Sequence, residues 1–572
     1  MDGRLRQAFV TGYECLVSWT DLLDQINVFP VADADTGRNL KISLAPLRRM
    51  NDNLEAVAGN LLRAATGNSG NIANRFLNEL LACGSPADLH AAAKTGRDAA
   101  RKAVVAPKPG TMLTVFDALA EFMGRQQHRP IPFEDEALCR SLIDYLQATV
   151  RSTTDMMPVL RDAGVVDAGA LGMYIYLDGF FRHLADRSVT VAPVTEIFSG
   201  RLRIARNFEA VAAEGYCVDT LVKMKRMSDT DVKALSALGE SVVVIPEESR
   251  IKIHLHTSDR HAARKAIESL GDVLQWSDEP LDNRVGGAPL PDEAAVHIMT
   301  DAAGSLTKED ARKYRMTLLD SYLVMGENCL PETLADPREL YAAMRRGVKV
   351  STAQASVFER HQCYASALSR YRRVLYLCVG SVYTGNHDIA TTWKMENDPE
   401  DRMTIIDSTA ASGRLGMIAL ATARLALTEP DGRRVLDFAA AAIQRCEEYI
   451  FLERLKYLAA GGRLSKTSGF FGDLLHMKPI ISPRAEGAQK AGVVKNRKEQ
   501  VLFALEKLQA TFTAADNPMI MLEYSDNRPW VAETVLPEIT RRYPKAEILL
   551  QPLSLTSGAH MGPGTWGLAF LP

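Results

Sequence analysis

The string NVFPVADADTGRN sets Asp33 and Asp35 two residues apart on one short loop, followed by Thr36, Gly37 and Asn39. Paired carboxylates on a tight loop can share a hard cation, and Mg²⁺ favours few carboxylates together with phosphate oxygens. A helix starting just after them would aim backbone N–H groups at an anion. The same string also reads as an ordinary helix start capped by Asp35 or Thr36. A second cluster, TGNSG, places Asn68 and Ser69 between glycines ahead of an apolar helix, where backbone donors can approach phosphate oxygens. PKPGTMLTV and VVDAGALG follow as weaker loop clusters of the same kind.

Further along, IKIHLHT alternates His254 and His256 with Ile253 and Leu255, so on a strand both imidazoles share one face. Two neutral imidazoles with a thiolate such as that of Cys217 make a suitable Zn²⁺ set, whereas the plain alternative is two histidines on the polar face of a half-exposed strand. The last 280 or so residues carry TDAAGSL, STAQAS, GSVYTGNH, IIDS, LAAGGRLS and SGAHMGPG, several of them just after predicted strands, where open α/β sheets bind ligands. Arg463 after two glycines suits bidentate carboxylate binding. Thr352 and Thr384 offer hydroxyls, and His560 can donate to a carboxylate or an incoming phosphoryl group. Taken singly, these residues also read as a surface ion pair, two helix caps and a loop histidine.

The order N-V-F-P-V-x-D-x-D-T-G-x-N, G-N-S-G, G-T-M-L-T-V, G-V-V-D-A-G resembles the ATP-binding domain of the dihydroxyacetone-kinase L-subunit superfamily, in the version found in bacterial fatty-acid kinases. The resemblance implies an all-α barrel with ATP at one end. Asp33 and Asp35, with Asn27, would then hold Mg²⁺, and Thr36, Gly37, Asn39, Asn68 and Ser69 the phosphates. Gly110, Thr111 and Met112 would line the nucleotide pocket, closed by Asp167 and Gly169. Ala34 stands where that family has Gly, which makes the loop backbone less permissive. The G-Y-C and H-x-H strings resemble the linker domain of fatty-acid kinases, which implies a zinc site at Cys217, His254 and His256.

The C-terminal strings resemble the DegV family of fatty-acid-binding proteins. Thr352, Thr384, Gly385, Asn386, Arg463 and His560 would surround the lipid carboxylate, and an apolar tunnel built partly from FFGDLLHMKPII would hold the tail. Ala353, Thr384 and Asn386 depart from the family's usual Ser, Ser and Thr. Together the resemblances imply an ATP-dependent kinase that phosphorylates a fatty acid bound in its own C-terminal domain, with Asp33, Asp35, Arg463 and His560 carrying the transfer. They also imply a homodimer and an enzyme that accepts the acyl phosphate. Two other readings stand beside this one: a lipid-sensing protein with a regulatory ATP domain, and a dihydroxyacetone-type kinase, for whose sugar-binding domain no matching segment is found.

These residues need elements to hold them. Residues 1 to about 190 read as helical, with apolar spacing in EAVAGNLLRAATG, LCRSLIDYLQATV and ALGMYIYLDGFFRHL, the polar clusters falling between helices. YCVDTLVKM, SVVVIP and IKIHLHT read as strands around one helix, and SDEPLDNRVGGAPLPDEAA as a linker. VHIM, VLYLCV, TIID, PMIML, EILLQ and WGLAF alternate with helices, which predicts α/β layers with a mainly parallel sheet. The expected domains are therefore an all-α kinase domain over 1–195, a small α+β linker domain over 196–285 and a DegV-like α/β domain over 286–572.

The 572-residue length agrees with several cores. A net charge of -3 and 7% aromatic residues give no reason to expect nucleic acid as a partner. The eight scattered cysteines form no C-x-x-C pair and no secreted disulfide framework. MDGRLRQAFVTGYE carries charge where a secretory leader would need its apolar core, and no apolar run reaches membrane-spanning length. A cytoplasmic protein without stable membrane insertion is the expectation.

Overall fold

The computed structural model describes residues 1–50, 53–125, 135–186, 192–210, 214–224, 228–247, 249–281, 294–326, 328–460 and 477–572. It divides into two compact units, Met1–Pro289 and Leu290–Pro572. Among the described residues, no helix is long and apolar enough to cross a membrane.

The first unit begins with helices α1 (Gly3–Val17), α2 (Thr20–Gln25), α3 (Thr36–Leu44), α4 (Leu54–Ala64), α5 (Gly67–Leu81), α6 (Leu89–Ala103), α7 (Met112–Arg125), α8 (Glu136–Met156), α9 (Pro158–Ala163), α10 (Ala168–Leu184) and α11 (Val194–Ile197). Neighbours close a cycle: α1 packs on α10, α10 on α7, α7 on α6, α6 on α5, α5 on α3 and α3 back on α1. The all-α arrangement expected from the sequence is present. Helix α10 is apolar almost all round, as a helix contacting α1, α3, α7 and α8 must be. Its contact with α1 is close because a Cβ on Gly12 would meet the Tyr176 carbonyl at 2.7 Å and one on Gly179 the Cys15 sulfur at 2.7 Å. One expectation changes: Gly67–Gly70 form the first turn of α5 rather than a loop ahead of it.

Residues 216–280 form a sheet of strands β1 (Tyr216–Lys223), β2 (Glu240–Pro246), β3 (Arg250–Thr257) and β4 (Asp272–Pro280), in the order β2-β3-β1-β4. Neighbours in this sheet run antiparallel. Helices α12 (Asp229–Ser236) and α13 (Arg260–Glu268) cover one face over Val218, Val222, Ile251, Ile253 and Leu255. Alternation turns Cys217, Asp219, Lys252, His254 and His256 to the other face, and α5 packs against β1, β2 and β3. Strand β4 corrects the linker expectation, since Ser277–Pro280 belong to the sheet; residues 282–293 of that stretch lie outside the described residues.

The second unit holds three sheets. Strands β5 (His297–Asp301), β6 (Thr317–Leu319), β10 (Val374–Cys378) and β11 (Met403–Asp407) form a parallel sheet in the order β11-β10-β5-β6. Strands β7 (Tyr322–Met325), β8 (Asn328–Pro331) and β9 (Val350–Ala353) form a small antiparallel one. Strands β12 (Glu447–Phe451), β13 (Lys478–Arg484), β14 (Gly487–Val494), β15 (Met519–Tyr524), β16 (Glu547–Pro552) and β17 (Trp566–Leu571) form a third, in the order β14-β13-β12-β17-β15-β16, parallel only between β15 and β16. The expectation of a mainly parallel sheet thus holds for the first sheet alone. The helix Ser412–Ala426 contacts β5, β15 and β17, and its Leu415, Ile418 and Leu420 share one core with Ile298, Leu377, Met521 and Ala569 from those two sheets.

Candidate active site

The Asp33–Asp35 loop reaches its geometry through Ala34, which adopts φ 56°, a left-handed conformation that costs an L-residue about 1–2 kcal/mol. A glycine there would adopt it freely. Asp35 occupies the cap position of α3 but makes no capping hydrogen bond. Its carboxylate instead lines a cleft with Asp33, Arg38, Asn39, Thr66, Gly67, Cys217, Asp219 and Glu279. The plain cap reading of D-x-D-T-G therefore fails here. Burial and the neighbouring Asp35 push Asp33 up to about 8, and burial raises Asp35 as well. Two adjacent carboxyls so disfavoured as anions are relieved by a proton or by a cation between them, and a donor set of this kind fits Mg²⁺.

Asn27, expected beside the two aspartates as a metal ligand, is hydrogen-bonded within their loop. Its amide nitrogen donates to Asp33 Oδ1 (2.6 Å) and to the Val31 carbonyl (3.0 Å), and its oxygen accepts from Thr36 Oγ1. Gly37 is buried against α2, where a Cβ would meet the Thr20 carbonyl at 2.0 Å, so it allows close packing. Asn39 hydrogen-bonds Asp35 and sits against Gly67, which joins the first motif to the second. On α5 the Asn68 Oδ1 and Ser69 Oγ atoms are buried without partners; the Ser69 hydroxyl can donate to a phosphate oxygen, and the Asn68 oxygen can accept from a water bound there.

The third and fourth motifs also meet. The Met112 side chain packs on Gly169, where a Cβ would lie 2.8 Å from Met112 Cε. Gly110 adopts φ 83° and donates its N–H to Thr114 Oγ1, while Thr111 Oγ1 donates to the Lys108 carbonyl. Lys108 lies 5.8 Å over the Phe29 ring, linking this loop to the first. Asp167 caps α10 by accepting from Ala170 N at 2.7 Å, and burial pushes its carboxyl up to about 7.

The metal candidate of the sheet adjoins this cleft, which its Cys217 helps to line. Cross-strand register sets Cys217 beside His256 and Asp219 beside His254. Ligand atoms of Cys217, His254 and His256 lie within 4.8 Å of one another. His254 is fully buried and His256 9% exposed, which removes the half-exposed-strand alternative. Burial and His254 push His256 down to about 3, keeping it neutral. Burial and the carboxylates of Asp219, Asp35 and Asp33 push the Cys217 thiol up, so its thiolate needs a cation beside it. His254 Nε2 is buried with no partner. A thiol, two imidazoles and an orphaned ring nitrogen fit Zn²⁺.

Asp219 is a cleft residue that the sequence motifs do not single out. Its Oδ2 meets His254 Nδ1 at 3.3 Å and accepts from Gly67 N at 2.8 Å and Thr66 Oγ1 at 3.3 Å, and its Oδ1 accepts from Asn71 Nδ2 at 2.9 Å. Burial opposes its charge, but His254, Lys252 and the Gly67 N–H outweigh burial and hold the carboxyl below its usual range. One side chain thus orients a candidate zinc ligand and the turn that opens α5. The available signal is Asp219 alternating with Cys217 on the face that also carries the two histidines.

In the second unit, Thr352 and His560 come together across 208 residues of sequence, with Oγ1 and Nε2 3.1 Å apart. Thr352 lies within β9 rather than capping a helix. Thr384 does act as a local cap, accepting from Asn386 N, and Gly385 is exposed. Asn386 is buried and donates to Asp301 Oδ1 at 2.9 Å, inside a cluster with Arg360 and Tyr376, so its amide N–H is committed inward rather than offered to a ligand. Arg463 and residues 470–476 of the expected tunnel lie outside the described residues, while Ile480 and Ile481 are buried in core clusters.

Residues 30–182 match the DAK2 domain, residues 213–283 the middle domain of FakA-like fatty acid kinase proteins, and residues 295–572 the DegV family. An uncharacterized protein of Staphylococcus saprophyticus is 26% identical over 309 residues, 49% of this chain and 53% of that protein. Protein YloV of Bacillus subtilis is 27% identical over 304 residues, 48% of this chain and 54% of YloV. The chain spans about half the length of these two relatives. The DegV domain-containing protein YteA of Lactococcus lactis is 26% identical over 276 residues, 47% of this chain and 94% of YteA. A fatty-acid-binding DegV family protein from Thermus thermophilus aligns in structure with a TM-score of 0.45 and 22% identity, covering 48% of this chain and 99% of that one.

Proposed function

This chain joins a DAK2 domain, a FakA-like middle domain and a DegV domain, and we propose that it works as a fatty-acid kinase carrying its own acyl-binding unit. The observation that carries the kinase half is the pair Asp33 and Asp35, disfavoured as anions without a cation and facing a cleft edged by the Thr66–Gly67 turn. For the acceptor half, support comes from the DegV match and from the Thr352–His560 pair.

In the proposed reaction a carboxylate oxygen of the fatty acid bonds to the γ-phosphorus of ATP. The bond to the bridging oxygen breaks, and its electron pair leaves with ADP. The acceptor is already a carboxylate at neutral pH, so no general base is required. The work falls on positioning and charge neutralisation. Bound Mg²⁺ would supply part of that neutralisation. Asp33 and Asp35 would hold it, Asn27 and Asn39 keep their loop in place, and Ser69 and Asn68 offer polar atoms to the phosphates. Thr352, His560 and Arg463 would orient the acceptor.

Mass spectrometry of lipid extracted from the purified chain, with hydroxylamine trapping of acyl phosphate, tests the reading. Wild type should carry fatty acid and form hydroxamate when given ATP. Asp35→Asn should keep the lipid and lose both hydroxamate and ADP release. Unchanged turnover in that variant refutes the metal assignment, and a chain free of fatty acid refutes the acceptor.

A further inference from the structure

Arg38 fills the open slot of D-T-G-x-N and is the one cationic side chain among the described residues lining the cleft, which also presents Asp33, Asp35, Asp219 and Glu279. Its guanidinium makes a bidentate pair with Glu279 on β4, at 2.8 and 2.9 Å. The pair joins α3 to a strand 241 residues further along the chain. Arg38 is well placed for an anion in the cleft: its backbone N–H is fixed to Asp24 Oδ1 at 3.0 Å, and its charge is felt by Asp35.

The Glu279 partnership is easily exchanged. The two side chains are 34% and 50% exposed, and ion pairs so exposed contribute about 0–1 kcal/mol. A phosphate offers a guanidinium the same two-oxygen geometry as a carboxylate, with more charge. A nucleotide entering this cleft meets four carboxylates, two of which a metal ion would engage. Something must still answer the remaining charge on the phosphates.

We propose that Arg38 is a phosphate-binding side chain of the cleft and that Glu279 occupies it as an internal anion until a nucleotide phosphate takes its place. The inference rests on the reading of this cleft as the ATP site. It adds a cation able to follow the phosphoryl group during transfer, and it makes the tie between α3 and β4 dependent on nucleotide.

Equilibrium binding of Mg²⁺-ATP to the full chain tests it, with thermal unfolding of each ligand-free variant as a control. Loss of a charge-assisted bidentate contact should weaken ATP binding about tenfold or more in Arg38→Ala. Glu279→Gln, which removes the competing anion and keeps its shape, should tighten binding several-fold. The two substitutions break the same ion pair, so a merely structural tie predicts that both shift affinity in the same direction, and that result overturns the proposal. Unaltered affinity in Arg38→Ala also overturns it. Should that variant fail to fold, weaker or unchanged binding by Glu279→Gln decides against the proposal on its own. A wild-type chain that binds no ATP overturns the reading of the cleft, and the role of Arg38 with it.

Discussion

Gly67→Ala is the sharpest probe of how the first two motifs are held. Gly67 opens α5 at φ 65°, and an added Cβ would stand 2.0 Å from Asn39 Nδ2. The left-handed backbone costs alanine about 1–2 kcal/mol. Displacing a buried, hydrogen-bonded Asn39 adds about 1–3 kcal/mol of overpacking. The smaller entropy of the unfolded alanine chain offsets only about 0.4–1 kcal/mol of that loss. The net expectation is a destabilisation of about 1–5 kcal/mol, or a fall of roughly 2–18 °C in the transition of the first unit at about 2–4 °C per kcal/mol. Because Asn39 leans on Asp35 and the Gly67 N–H on Asp219, ATP binding should weaken together with stability. Scanning calorimetry of the full chain with parallel ATP titration reads both. Ala34→Gly provides the mirror control, since it relieves a left-handed alanine and should not lower the same transition. A Gly67→Ala protein with wild-type melting and wild-type ATP affinity would refute the packing argument.

Asp167 makes a pH prediction. A carboxyl raised from 3.8 to about 7 in the folded state favours folding most below the unfolded value, and that contribution is lost as pH rises from about 4 to 7. At about 1.36 kcal/mol per unit the loss is at most about 4 kcal/mol, and Asp167→Asn, which still accepts from Ala170 N, should gain stability over wild type progressively between pH 5 and pH 8. A difference in melting temperature that stays constant across that range refutes the cause assigned. For the sheet cluster, elemental analysis should find about one zinc per chain, and Cys217→Ser combined with His256→Ala should lose it; a metal-free wild type that is folded and active contradicts the zinc reading.

What the sequence discloses and what it hides follow one physical division. Loop motifs are local: Asp33, Asp35 and the Thr66–Gly70 cluster announce themselves because a tight turn and a helix start constrain neighbouring residue types. Strand alternation is local too, so His254 and His256 can be set on one face without knowing the fold. Partnerships made across the sheet are invisible. Asp219 reaches His254 through the register of β1 against β3, and Glu279 reaches Arg38 only because β4 completes the edge of that sheet. The end of β4, Ser277–Pro280, reads as linker because it carries Asp278, Glu279 and Pro280, the residue types that protect a sheet edge. In the second unit, β12 begins with two glutamates, and Glu448 is fully buried beside Glu523 of β15. Burial and that neighbour push Glu448 well above the usual carboxyl range, which hides a core strand behind a polar sequence.

The same division explains how the cleft tolerates its charge. Asp33 and Asp35 come from one loop, Asp219 and Glu279 from two strands, and each is answered by a different device. Asp219 is surrounded by His254, Lys252 and N–H donors and stays ionised without help. Glu279 has Arg38. Only the Asp33–Asp35 pair is governed mainly by burial and by the closeness of its two carboxyls, so the position that asks for an external cation is the one beside the Thr66–Gly67 turn. Asn27, Asn39 and Arg38 ease the pair, yet burial still holds both carboxyls above their usual range, which is what a bound cation would relieve.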